Sequence, residues 1–171
     1  MTASAISKPD TQEESLPSVS EMLALGWGDP DSPDFYSTHI VTIQPVKGVT
    51  LHVHRAAAPI FTELTRGLQR LGAKLPQRAD DWSYSNRDVR GYPGSKSFHA
   101  WGLAIDLDAT ENPMGSHSTS FPVDKTRDLV AGLRFVEWGY EWQDSRPDPM
   151  HFQIAGQKAN VKAYGTRLLK R

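Results

Sequence analysis

The chain has 171 residues and a mass of 19.0 kDa, enough for one domain with a single core. Its formal net charge of -1 leaves no overall field to hold nucleic acid or an anionic membrane. No run approaches the roughly 18 apolar residues that a membrane span needs. Cysteine is absent, so the fold holds no disulfide, and a metal site has to be built from His, Asp or Glu.

Met1 to Pro17 is polar, carries Asp10, Glu13 and Glu14, and lacks the basic start and apolar run of a signal peptide. Residues 1–20 are expected to form a flexible arm, with residues 21–171 as the single domain. A loop rich in Asp, Ser and Pro follows at Gly28 to Asp34. His39–Val46 and Val49–Val53 alternate apolar and polar residues around Lys47-Gly48, which predicts a hairpin. Ile60, Phe61, Leu64, Leu68 and Leu71 recur at helical spacing, so the sequence predicts a helix over 57–71 that stops at Gly72.

Trp82 to Ser97 is rich in Arg, Gly and Ser and reads as an ordered loop. Gly102 to Asp108 reads as a strand, with Leu103, Ile105 and Leu107 on one side and Ala104, Asp106 and Asp108 on the other. A loop over 111–122 precedes a helix expected from Asp124 to Trp138, with Leu129, Val130, Leu133 and Val136 as its stripe and Gly139 as its end. His151–Ile154 reads as a short strand and 159–169 as a weak terminal helix. Helix and strand mix without regular alternation, which favours an α+β fold in one domain.

The chemistry concentrates in two segments, Ser97-Phe98-His99-Ala100-Trp101-Gly102-Leu103-Ala104-Ile105-Asp106 and Pro147-Asp148-Pro149-Met150-His151-Phe152. His99, Asp106 and His151 offer three ligands for zinc, and Asp148 offers a carboxylate beside them. Three protein ligands, an open position for water and a proton acceptor are the minimum for metal-assisted hydrolysis. Taken singly, Asp106 reads first as a buried, hydrogen-bonded carboxylate and His99 as an exposed loop residue. It is the combination with His151 that points to a metal. Asp148 lies three residues before His151, a spacing at which a tight turn aims both into one cleft. Asp148-Pro149 is also a common turn starter, and the two roles are compatible.

Ser-x-His-x-x-Gly-x-Ala-x-Asp followed by Asp-Pro-Met-His-Phe resembles the zinc D-Ala-D-Ala carboxypeptidase family. That group includes VanX- and VanY-like enzymes and the L-alanyl-D-glutamate endopeptidases of phage endolysins. The resemblance runs from about Arg87 to Phe152, within a motif region spanning 82–155. It implies a small antiparallel sheet carrying the zinc site, His99, Asp106 and His151 as ligands, and Asp148 as the catalytic carboxylate. The family also carries an arginine upstream of the Ser-x-His motif, and its pattern favours Arg87 over Arg90. An arginine suits the role because its donor fork fits a carboxylate or oxyanion. Ser97 fills the serine position, where it either meets substrate, orients a ligand or caps a turn. The family's Gly-Gly-Asp-Trp is replaced by Gly139-Tyr140-Glu141-Trp142, so Trp138 and Trp142 either wall the cleft or join the core.

The resemblance implies peptidoglycan stem peptides as partners, Zn2+ as cofactor and an L-alanyl-D-glutamate endopeptidase of endolysin type acting as a monomer. A D-alanyl-D-alanine carboxypeptidase or dipeptidase is the alternative within the family. A non-catalytic zinc-containing binding module is the alternative outside it, although such a module has no need of Asp148. The chain is expected to be made in the cytoplasm without a signal peptide and to reach the cell wall by another device, such as a phage holin. His52 and His54 read as structural or surface residues and His117 as solvent-facing. Asp108 and Glu111 together raise the prospect of a second cation.

Overall fold

The computed structural model describes residues 16–75, 81–143 and 146–170. Most of the flexible arm expected over 1–20 lies outside the described residues. Within the remainder, Ser18 caps a short helix, α1 (Val19–Ala24), through a capping box in which Ser18 Oγ accepts from the Glu21 amide and the Glu21 carboxylate accepts from the Ser18 amide. Met22 and Trp27 plunge into the core. Trp27 Nε1 donates to the Gly156 carbonyl at 2.8 Å and the Lys158 amide to Leu25 O at 3.1 Å. The two ends of the domain are thereby tied together.

A second short helix, α2 (Phe35–His39), leads into strand β1 (Ile40–Ile43), which pairs antiparallel with β2 (Leu51–His54) in the register Ile40↔His54 to Ile43↔Leu51. The predicted hairpin is present with shorter strands, because Pro45 interrupts the first apolar run. Helix α3 (Ala58–Arg70) follows the predicted bounds closely. Its Ile60, Phe61, Leu64 and Leu68 are fully buried, and Pro59 sits in its first turn, where a missing amide costs nothing. Helix α5 (Lys158–Leu168) packs on it, with Gly165 lying against Pro59 and the Ala56 carbonyl.

Two expectations need correction. The loop over 82–97 contains a small hairpin of β3 (Asp88–Val89) and β4 (Tyr92–Lys96), turned at Gly91, whose φ of +90° favours glycine. The helix expected to run to Trp138 ends early: α4 covers Val123–Gly132, and Val136–Trp138 instead form strand β6. Phe135, at φ 74°, turns the chain between them, and Val136, which the helical reading takes into its stripe, and Trp138 then alternate inward in a period of two.

Strands β5 (Ala104–Asp106) and β6 flank β7 (His151–Ile154) in an antiparallel sheet of order β5-β7-β6. Asp106 pairs with His151, Ala104 and Glu137 both with Gln153, and Trp138 with Phe152. The back of this sheet joins the core, and Phe152 stacks on Trp138 at 5.7 Å with rings 2° from parallel. Its other face carries the polar residues described next. The architecture is α+β, as the sequence predicts.

Candidate metal centre

Each member of the His–Asp–His group is placed by a different local device. His99 sits in a single 3₁₀ turn (Phe98–Trp101) capped by Ser97, whose Oγ accepts from the His99 amide at 3.3 Å. Gly102 ends the turn in the left-handed region, at φ 64°, where a Cβ would meet the His54 amide at 2.7 Å. The motif glycine thus answers both to backbone conformation and to close approach. Asp106 and His151 face each other directly across β5 and β7, so sheet register alone brings them into contact.

The resulting atoms converge. Asp106 Oδ1 lies 2.9 Å from His151 Nδ1 and 3.3 Å from His99 Nε2. All three residues are buried, and their ligand atoms lie within 4.8 Å of one another. Donors about 2.0–2.1 Å from one tetrahedral ion stand roughly 3.3 Å apart, so the separations suit a small divalent cation. His99 Nε2 is buried and makes no hydrogen bond, an orphaned lone pair that a cation would satisfy.

The outer atoms of both imidazoles are anchored. His99 Nδ1 donates to the Ser83 carbonyl at 2.7 Å, which leaves Nε2 for the metal. His151 Nε2 donates to Gln153 Oε1 at 3.0 Å, while Gln153 Nε2 donates to the Glu137 carboxylate at 2.8 Å. Because a carboxylate only accepts, this chain fixes the amide's orientation and hence the face that His151 presents. Burial pushes the His151 imidazole down, but Asp106, with the charge of Asp148 behind it, overrides this and raises its pKa to about 9. Burial acts to raise the Asp106 carboxyl; the facing His99 and His151 reverse that and hold it well below the usual carboxylate range. A proton held between Asp106 and His151 is one that a cation displaces on binding.

The group borders a cavity of about 700 Å³ that is also lined by Asp148, Met150, Arg87, Arg90, Ser97 and Arg146. The His151 amide donates to Asp148 O at 3.0 Å, the tight turn expected from Asp148-Pro149, and both side chains border the cavity. Asp148 is also positioned from outside its own segment. Its amide donates to Gly139 O at 2.9 Å, and a Cβ on Gly139 would stand 2.5 Å from Asp148 O. Gly139 begins a short 3₁₀ turn and is not the helix stop that the sequence predicts.

Arg87 and Arg90 are exposed on the cavity rim, and Arg87 Nη1 donates to the neighbouring Asp88 carbonyl at 3.2 Å. Ser97 borders the cavity while capping the His99 turn, so two of its predicted roles coincide. Trp142, expected as a substrate contact, is only 1% exposed and lies outside the cavity lining. Its ring sits 5.4 Å from that of His151, so it supports the imidazole from the core side. His54 is buried against Trp27 and His39, and His117 is exposed with Nδ1 2.7 Å from Gln143 Oε1. Asp108 is buried and accepts from Ser120 and Asn112, while Glu111 is exposed. Among the described residues, the only His/Asp/Glu group close enough to share a metal is His99–Asp106–His151.

Ser83, Glu137, Gly139, Arg146 and Gln153 escape the sequence reading. Gln153 had one visible signal: it falls two residues after His151 in a strand, hence on the same face.

Three buried donors at the edge of a cleft, with a carboxylate lining the same cleft, have the arrangement of a metallopeptidase. Residues 90–154 match the family model for D-alanyl-D-alanine carboxypeptidase. The matched segment is similar to that family over about two fifths of the chain; it encloses His99, Asp106, Asp148 and His151 and stops short of Arg87. No curated protein and no solved structure matches the chain.

Proposed function

We propose that the protein is a zinc-dependent peptidase that hydrolyses the stem peptides of peptidoglycan, as an L-alanyl-D-glutamate endopeptidase of the endolysin type. The observation that carries this reading is the convergence of His99, Asp106 and His151 beside Asp148 in one cleft. The endopeptidase form is supported by a second cavity, of about 390 Å³, which shares Trp82, Arg87, His99 and Asp106 with the larger one. Space bordering the same ligands in two cavities suits a substrate that extends past the scissile bond, whereas an exopeptidase requires a closed end. The description of the matched family favours a second reading, a D-alanyl-D-alanine carboxypeptidase.

His99 Nε2, Asp106 and His151 Nδ1 would hold zinc, which when bound would supply Lewis-acid polarisation of the scissile carbonyl and a more acidic water. Asp148 takes the proton of the attacking water and delivers it to the leaving amine. Arg87, bordering both cavities, meets negative charge on the substrate or on the carbonyl oxygen as it develops. Ser83 and the Gln153–Glu137 pair hold the imidazoles in register. The protein acts as a monomer on the cell wall, released to it through a holin-type pore.

Digestion of purified peptidoglycan by the zinc-loaded chain, with Asp148→Ala as control and mass spectrometry of the fragments, tests this. New D-Glu or D-isoGln N-termini, lost in the variant, are expected. Release of D-Ala alone would establish the carboxypeptidase, and no product from any stem peptide despite bound zinc would overturn the peptidase reading.

A further inference from the structure

We infer that Arg146 is the residue that grips a free carboxylate of the substrate beside the scissile bond, with Met114 as a displaceable placeholder; this rests on the peptidase reading above. Arg146 borders the larger cavity together with Asp148 and His151, and lies two residues before Asp148 in the same segment. A carboxylate held there therefore lies close to the bond being cut.

Arg146 is half-buried, and its guanidinium is held on all three nitrogens. Nη1 donates to the Arg90 carbonyl at 2.8 Å, which fixes the plane of the group against the turn of the β3–β4 hairpin. The opposite edge, Nε and Nη2, straddles Met114 Sδ at 3.2 and 3.0 Å. That pair of parallel donors is the fork that binds a carboxylate bidentately. A thioether is a weak acceptor, so a strong, preorganised cationic fork has a poor partner. Among the described residues, no ion pair joins Arg146 to a carboxylate. Methionine is unbranched and swings aside readily, so a substrate carboxylate takes its place with little rearrangement.

Arg87 and Arg90 lack this preparation, being exposed, and among the described residues Arg87 donates only to its neighbour's carbonyl. The ligand is a planar carboxylate adjacent to the cleaved amide, whether the α-carboxylate of a γ-linked glutamyl residue or a chain terminus.

The test compares the zinc-loaded full chain on paired stem peptides, identical except for a free carboxylate or a carboxamide at that position. Wild type is expected to favour the carboxylate, chiefly through KM, by roughly tenfold to a hundredfold, the range of a charge-assisted hydrogen-bonding pair. Arg146→Gln should erase the preference, read as the ratio of kcat/KM for the two peptides on one preparation, so that a general loss of turnover does not mimic it. Arg146→Lys, which keeps charge without the fork, should retain only part of it and serves as the readout if the glutamine variant fails to fold. A wild-type enzyme indifferent to the carboxylate, or variants that keep the wild-type ratio, would overturn the inference. Cleavage of neither peptide by wild type would instead count against the peptidase reading.

Discussion

Gly139→Ala offers a sharp test of how Asp148, the proposed general base, is positioned, because it adds one methyl group and removes no functional side chain. The new Cβ would stand 2.5 Å from Asp148 O, 3.1 Å from Asp148 Cβ and 3.1 Å from Trp142 Cζ3. Ordinary contact begins near 3.4 Å, so the Asp148 backbone has to retreat by about 0.9 Å. The same displacement strains the 2.9 Å hydrogen bond from the Asp148 amide to Gly139 O. A misplacement of about 1 Å at a catalytic group costs on the order of 100-fold in rate, and overpacking of this kind costs about 1–3 kcal/mol of stability. The assay is kcat on a stem peptide, with zinc content and denaturant unfolding measured on the same preparations. Gly132→Ala is the control: nothing stands within 4 Å of its Cβ, so activity should be unchanged and stability raised by up to about 1 kcal/mol. If Gly139→Ala folds, keeps its zinc and turns over within about twofold of wild type, Asp148 is not positioned in this way or is not the base.

Three further outcomes follow from the site and the core. Asp106→Asn removes the charge that both imidazoles face, so equilibrium dialysis should show loss of zinc, whereas Asp148→Ala should keep zinc and lose turnover. Gln153→Leu frees the outer nitrogen of His151 and leaves Glu137 without its amide partner, and competition with a chelator should show zinc affinity lower by roughly 10–100-fold. His54 is buried, and burial with the nearby positive charge of Lys158 depresses its pKa from 6.5 to about 3. Its contribution to stability is therefore present above pH 6.5 and lost as pH falls toward 3; the advantage of wild type over His54→Gln should shrink by about 2 kcal/mol between pH 7 and pH 5 in urea unfolding.

The grouping of His99, Asp106 and His151 with Asp148 was legible in the sequence. His99 and Asp106 are separated only by one turn, a glycine and the start of a strand, and Asp148 and His151 by one tight turn, so local chain geometry was enough to aim each pair. The sequence also announced α3, whose periodicity is strong and uninterrupted, and the first hairpin, whose first strand stops short at Pro45. The stretch from Val123 to Trp138 misled because apolar residues spaced three apart satisfy a helix, while the last of them also satisfy a strand; pairing with β7 decided between the two. Only the tertiary structure joined Asp106 to His151, because their contact is a matter of sheet register across 45 residues. The contacts of Gly139 with Asp148, Glu137 with Gln153 and Arg146 with Met114 are of the same kind. Each joins segments whose individual sequences carry no mark of the other, because such contacts come from the packing of strands and turns and not from any local preference of the chain.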